Sequence, residues 1–233
     1  MSTPRLSVVI PALDERDHLP RLLRCLLAAE DAVEIVVADG GSTDGTWELR
    51  HDFPSVTFIR APRGRALQLN AGAAAARGRH LLFLHADTLP PLNVPGLVEA
   101  AIDRDGAIAG AFRLAFDDGH PLLRLYAWCS RCNHALFTYG DQGLFLRRDT
   151  FDALGGFAPI PLMEDVDLVR RLRRLGRFAK LPATVVTSAR RFRARGIVRQ
   201  QLLNLGLVAA YYAGIAPQRL AGWYRVAREP QAG

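Results

Sequence analysis

HLLFLHADT, residues 80 to 88, decides how the chain is read. Leu81, Leu82, Phe83 and Leu84 make an apolar run short enough for one strand buried on both faces. The run breaks off at His85, Ala86, Asp87 and Thr88, and Pro90 and Pro91 close it. Such a strand carries a carboxylate, with an imidazole beside it, to the edge of a sheet. Open α/β sheets bind ligands just beyond the carboxyl ends of their strands. Taken alone, Asp87 serves equally as a cap for a helix after the prolines. What separates the two readings is whether other strands end in the same way.

They do. Leu6 to Ile10 is a compact apolar strand closed by Pro11, with Asp14 and Glu15 at the turn that follows. Leu19, Leu22, Leu23, Leu26 and Leu27 then recur at helical spacing, with Pro20 in the first turn, where a helix tolerates it. Val33 to Ala38 is a second strand, ending in DGGSTDGT, residues 39 to 46. Its glycines let a ligand approach the backbone, and Ser42, Thr43 and Asp44 suit a helix cap. Val56 to Ile59 is a third strand, followed by Arg60, Arg63 and Arg65. Ala66 to Arg77 reads as an alanine-rich helix carrying Gln68 and Asn70. Strand and helix alternating from residue 6 to 84 predicts a mostly parallel, Rossmann-like sheet with helices on both faces.

The second half is less regular. Val94 to Asp103 and Pro121 to Leu136 read as helices, and Ala107 to Phe116 and Gly140 to Arg147 as strands. Glu164 to Leu175 is a helix with Leu168, Leu172 and Leu175 on one face. Its acidic first turn, arginine-rich last turn and Gly176 stop suit the helix dipole. Phe178 to Leu181 and Thr184 to Thr187 are short strands, and Ser188 to Gly196 a basic loop. Gln201 to Ala216 is an apolar helix too short to span a bilayer. This predicts one domain over residues 1–196, with halves at about 1–90 and 91–196, and a C-terminal helical segment over 197–233.

The chain of 233 residues is 49% hydrophobic and 23% charged, ordinary globular material with ample core. Met1 to Arg5 is polar and leads straight into the first strand, so no signal peptide is expected. Cys25, Cys129 and Cys132 read as reduced, structural thiols of a cytoplasmic protein, the CxxC lacking a second pair. Net charge is +7, and Met163 to Arg199 alone holds eleven basic residues against Glu164, Asp165 and Asp167. That excess suits phosphates or an anionic membrane surface. No nucleic-acid-binding module is recognisable, so nucleic acid is not an expected partner.

In order and spacing these motifs resemble the family 2 glycosyltransferases of the GT-A fold, from about Leu6 to Leu175. VVIPALDE is similar to that family's first strand and turn, with Asp14 where asparagine is commoner. VVADGGSTDGT resembles its second strand and nucleotide loop, with Gly40 in place of a second aspartate. RGRALQLNAGAAAARG resembles a further helix pattern, and MEDVDLVRRL the E-D helix. FLHADT sits where the family has D-x-D, its first acid replaced by His85. HADT, GDQ and RRF together resemble a short soluble bacterial subgroup. The Q-x-x-R-W motif of processive synthases is absent, which implies addition of a single sugar.

The resemblance implies a nucleoside-diphosphate-sugar donor, UDP-sugar favoured, bound by Pro11, Ala12, Leu13, Glu15, Asp39, Gly41, Arg63, Arg65, Gln68, Asn70, His85, Ala86, Asp87, Gly140, Asp141, Gln142, Arg190 and Arg191. It implies a divalent metal, Mn2+ or Mg2+, on Asp87 with His85 as auxiliary ligand. The departing diphosphate needs a cation or fixed donors to meet its charge, and guanidinium groups grip phosphate oxygens well. The acceptor hydroxyl, for which a lipid-linked molecule is one candidate, must lose a proton. Asp165 is the family-matched base, with Glu164 beside it. One displacement by one base inverts the anomeric centre. A sugar-phosphate nucleotidyltransferase would want a glycine-rich, lysine-bearing loop after the first strand, where PALDE stands. A non-catalytic nucleotide-sugar sensor has no need of the acids that are kept. The basic and apolar C-terminal segment reads either as a peripheral contact with the inner face of the membrane or as a helix packed on the core or in a homodimer.

Overall fold

A computed structural model describes residues 4–29 and 33–226. Residues 1–3 of the polar N-terminus and 227–233 of the C-terminal segment lie outside the described residues.

The first half alternates as its hydrophobic pattern predicts: β1 (Leu6–Ala12), α1 (Leu19–Leu27), β2 (Glu34–Asp39), a 3-10 turn (Trp47–His51), β3 (Thr57–Arg60), α2 (Arg65–Ala75) and β4 (His80–Phe83). These four strands lie parallel, in the order β3-β2-β1-β4. Side chains alternate across β1 and are buried on both sides. Val8 and Ile10 belong with Leu22, Leu23 and Leu26 of α1, whereas Val9 belongs with Leu69 and Ala73 of α2. A β-carbon on Gly72 would stand 2.4 Å from Cγ1 of Val9, so the missing side chain lets α2 lie close on the sheet.

Beyond β4 come β5 (Thr88–Leu89), α3 (Val94–Glu99) running into a π turn (Ala100–Arg104), β6 (Ala109–Phe116), α4 (Pro121–Cys129), β7 (Leu144–Arg147) and α5 (Arg148–Ala153). Then follow α6 (Glu164–Leu175), β8 (Phe178–Thr187), α7 (Arg190–Arg195), α8 (Ile197–Tyr212) and α9 (Pro217–Val226). The eight-stranded sheet runs β3-β2-β1-β4-β7-β6-β8-β5. β7 is antiparallel to β4 and β6, and β5 to β8, while β6 and β8 are parallel. The fold is therefore α/β with a mixed sheet whose parallel half is the N-terminal one.

Several second-half expectations are corrected. The helix expected to reach Leu136 stops at Cys129, because the Ser130 hydroxyl donates to the Ala127 carbonyl at 2.6 Å and accepts from the Leu114 amide at 2.9 Å. Gly140–Gln142 is a 3-10 turn, and the strand begins only at Leu144. Asp44 caps no α-helix; it accepts from the Thr46 amide ahead of the 3-10 turn. Phe178 to Thr187 is one strand, with a register shift opposite Phe112 and Arg113. The expected basic loop is α7, nucleated where the Ala189 amide donates to Asp117 and where Phe192 packs on Phe116 and Tyr126. The C-terminal helix begins at Ile197 and ends at Tyr212, and Pro217 opens another. α8 and α9 pack on the start of α6, with Leu207 and Leu220 against Met163 and Val166. Among the described residues no helix is long and apolar enough to cross a membrane.

Candidate active site

The loops after β1 and β2 are stitched together. Asp14, with φ 54°, accepts from the Thr43 amide at 2.9 Å, and its own amide donates to the Ser42 hydroxyl at 2.9 Å. Positive φ is uncommon outside glycine, and aspartate is among the residues that tolerate it. Asp39 is fully buried at the end of β2, accepts from the Gly41 and Ser42 amides, and is ion-paired to Arg60. Gln68 is buried as well. Its Nε2 donates to the carbonyls of Ala12 at 2.7 Å and Ala38 at 2.9 Å, tying the ends of β1 and β2. Gly40 leaves it room, since a β-carbon there would come within 2.9 Å of the Gln68 amide group.

At the end of β4 both candidate metal ligands are engaged by arginines. Asp87 Oδ2 lies 3.0 Å from Nε of Arg190, whose other arm donates to Glu15. The second Glu15 oxygen is buried without a hydrogen-bond partner. Arg65 is in hydrogen-bond contact with Nε2 of His85. An arginine can only donate, so Nε2 accepts and the imidazole carries its proton on Nδ1. Burial, then Arg65, Arg191 and Arg190, hold His85 well below the usual imidazole range, so the ring is neutral at pH 7. Its Nε2 lone pair is thus taken by Arg65. Among the described residues no three His, Cys, Asp or Glu side chains form a metal-holding group. Magnesium and similar hard ions are commonly held by one or two carboxylates with substrate phosphates completing the shell. Asp87, with Glu15 beside it, fits that pattern, and His85 would join it only by giving up Arg65.

The acids of α6 face the same space. Met163, the residue before the helix, adopts the left-handed conformation at φ 69°. A non-glycine residue held there costs about 1–2 kcal/mol and is worth attention near a functional group. It sets Glu164 and Asp165 on the cleft wall. Glu164 is 3% exposed and lies 3.2 Å from Nε of Arg65; burial pushes its carboxyl up, against the pull of that arginine. Asp165 accepts from the Gly140 amide at 2.6 Å and the Val166 amide at 2.8 Å. A carboxylate has about four acceptor positions, so each oxygen keeps a free lone pair while the group is fixed in place. Asp141 is next to it. Burial, then the Asp165 charge, pushes Asp141 up to about 6, and its Oδ1 has no hydrogen-bond partner. Behind it Lys180 donates to Gln142, and burial, then Arg173, brings the lysine down to about 7.

These groups meet in a cleft of about 620 Å³. Of the expected site residues, Pro11, Leu13, Glu15, Arg63, Arg65, Gln68, His85, Ala86, Asp87, Asp141, Glu164, Asp165 and Arg191 line it. Ala12, Asp39, Gly41, Gly140, Gln142 and Arg190 are not among the lining residues; Gly41 is exposed, and the others hold lining residues or loops through hydrogen bonds. Asn70 works at a distance: its amide donates to the Phe157 carbonyl at 2.8 Å and accepts from the Phe157 amide at 2.9 Å, fixing the segment that leads to α6. Sequence reasoning missed the opposite wall, where Phe116, Tyr126, Tyr139, Phe192, Asn204, Leu205 and Tyr224 stand. The one available signal was aromatic and amide residues recurring on helices otherwise read as core or surface.

A parallel nucleotide-type half, acids at its strand ends and a carboxylate helix across the cleft define a glycosyltransferase of the GT-A fold. The chain belongs to glycosyl transferase family 2, whose family model matches residues 7–160. It is 26% identical over 199 residues to a probable glycosyltransferase, YdaM, of Bacillus subtilis, covering 74% of this chain and 47% of that protein. It is 36% identical over 109 residues to the undecaprenyl-phosphate 4-deoxy-4-formamido-L-arabinose transferase of Aeromonas hydrophila, covering 42% of this chain and 33% of that one. The chain thus spans less than half the length of these two relatives. Among solved structures, S. aureus TarS residues 1–349 in complex with UDP superposes with TM-score 0.67 at 16% identity, over 79% of this chain and 60% of that one. A Pyrobaculum calidifontis mannosyltransferase in complex with GDP-Man and Mn2+ does so with TM-score 0.65 at 21% identity, over 94% and 67%. Likeness at these identities shows the fold.

Proposed function

We propose that the enzyme moves one sugar from a nucleoside-diphosphate sugar, a UDP-sugar in the first instance, to an acceptor hydroxyl with inversion and without processive elongation. The observation that carries this reading is that one cleft brings together three arginines (Arg63, Arg65, Arg191) and a fixed carboxylate, Asp165. The arginines receive the diphosphate, whose departure leaves negative charge that guanidinium groups stabilise. The acceptor oxygen attacks the anomeric carbon, the bond from that carbon to the phosphate oxygen breaks, and the hydroxyl proton passes to Asp165. Glu164 keeps Arg65 oriented toward the cleft. A divalent ion, when bound, supplies further charge at the diphosphate, with Asp87 as its protein ligand and Glu15 beside it.

A lipid-linked acceptor fits the aromatic and apolar far wall, and the relative named for undecaprenyl phosphate supports that substrate class. The three cysteines are free thiols, which supports a reducing compartment and hence the cytoplasmic side of a membrane. The test is a thermal-shift and donor-hydrolysis panel of UDP-, GDP- and TDP-sugars with and without Mn2+. One donor class should raise the melting temperature and be hydrolysed slowly. No stabilisation and no hydrolysis with any donor would refute the reading.

A further inference from the structure

Two helices that border the cleft each carry an apolar stripe on the side away from the core. α4 buries Leu123 with Ala189 and Phe192, yet leaves Leu122, Leu125 and Trp128 exposed by 40%, 57% and 58%. α8 buries Leu207 with Met163 and Leu220, yet leaves Val198, Leu202 and Leu205 exposed by 56%, 64% and 52%. The spacings are those of a helical stripe. The two helices pack on each other, and Leu136 and Phe137 add exposed apolar surface beyond the end of α4. A single exposed leucine is ordinary, but such a set on two adjoining helices beside a functional cleft marks an interaction surface.

The charge around these stripes identifies the partner. Neither residues 119–140 nor residues 188–226 contain an aspartate or glutamate. Arg124, Arg131 and Arg199 are exposed and make no ion pair among the described residues. A second copy docked here about a two-fold axis would set this arginine-bearing face against itself, and neither copy would bring a carboxylate to it. An anionic bilayer satisfies both features, since the headgroup boundary takes leucine and tryptophan and lipid phosphates take guanidinium.

We propose that α4 and α8 form a docking face for an anionic lipid bilayer, with Leu125, Trp128, Val198 and Leu202 entering the headgroup boundary and Arg124, Arg131 and Arg199 on lipid phosphates. Leu205 belongs both to the exposed stripe and to the cleft wall, so the docked face continues into the mouth of the site. A membrane-bound acceptor reaches Asp165 without leaving the surface. That purpose rests on the transferase reading, but the docking itself does not.

The test is co-flotation of the full chain with phosphatidylglycerol-containing and with pure phosphatidylcholine vesicles, at low and high salt. Binding is expected to anionic vesicles at low salt, with Trp128 fluorescence shifted to the blue and the shift abolished in Trp128→Phe. Each of Arg124→Gln, Arg131→Gln and Arg199→Gln should weaken binding about fivefold. Leu125→Glu combined with Leu202→Glu should abolish it while melting temperature and donor binding stay unchanged. Absence of binding to anionic vesicles at low salt would overturn the proposal, as would full binding by the double variant. A solution dimer dissolved by the double variant would assign the face to a second copy instead. Donor binding, read separately, shows whether the transferase reading stands or falls by itself.

Discussion

The two walls of the cleft hold their carboxylates differently. On the strand-end wall three acids are matched to arginines: Asp39 to Arg60, and Glu15 and Asp87 together to Arg190. On the α6 side Glu164 is matched to Arg65, but Asp165 is held by backbone amides and Asp141 has an oxygen that nothing meets. The first arrangement can be exchanged. On the proposed reading, an incoming diphosphate would offer the arginines a new anion, and a metal arriving with it would offer the acids a new cation, so charge would stay balanced as partners change. The second arrangement is fixed in position but open to a proton. Altering one wall should therefore change affinity for the donor, and altering the other should change the rate.

The largest effect should come from Asp165→Asn. Loss of a general base typically lowers the rate on the order of a hundredfold to ten-thousandfold, and the donor Kd should barely move. The structure adds a cost, because an amide nitrogen replacing one oxygen would face the Gly140 or Val166 amide, so the melting temperature should drop as well. Transfer near the parent rate would erase the distinction between the walls. Asp87→Ala should act the opposite way. It weakens Mn2+-dependent donor binding by about 1.5–3 kcal/mol, roughly tenfold to a hundredfold in Kd. With chelator present the penalty should shrink, since the change frees Arg190 for the phosphate. Calorimetric titration of UDP with and without Mn2+ reads both.

A smaller effect is expected in the pH dependence of stability. Asp141 is pushed up to about 6, above the roughly 3.9 of an unfolded aspartate. The native state then binds more protons between those values. This contribution is full below about 4 and is lost as pH rises through about 6. Asp141→Asn should flatten that fall in melting temperature, and an unchanged profile would mean that Asp141 is not held as described. The smallest change should be His85→Ala, about threefold to tenfold in donor Kd through the freed Arg65, with Mn2+ dependence retained. Loss of Mn2+ dependence equal to that of Asp87→Ala would show that the imidazole ligates metal after all.

The strand-end wall was legible because β1 to β4 are short and run out into polar residues, and β1, β2 and β4 are buried on both faces, a pattern local in sequence. The E-D helix was legible from its dipole-matched charges. Arg190 shows where legibility stops. Its class was clear, but its partner Glu15 lies 175 positions away, so the chain read in order gives no hint that it balances Asp87. α7 was read as a loop because RRFRAR has no apolar stripe of its own; Phe192, docked between Phe116 and Tyr126, decides its form. The aromatic wall was missed for the same reason, since α4 and α8 each have two apolar sides and nothing local tells which one meets the cleft.

Gly40 and Gln68 carry a consequence for how this chain can change over generations. The family's second loop aspartate has no room here while the Gln68 amide fills that space and fastens β1 to β2. Restoring the aspartate alone would break that fastening, and shortening Gln68 alone would remove the side-chain bonds to the Ala12 and Ala38 carbonyls. Each step is harmful without the other, so the two positions should drift as a pair, and lineages on either side of that double change should seldom exchange residues at one site only.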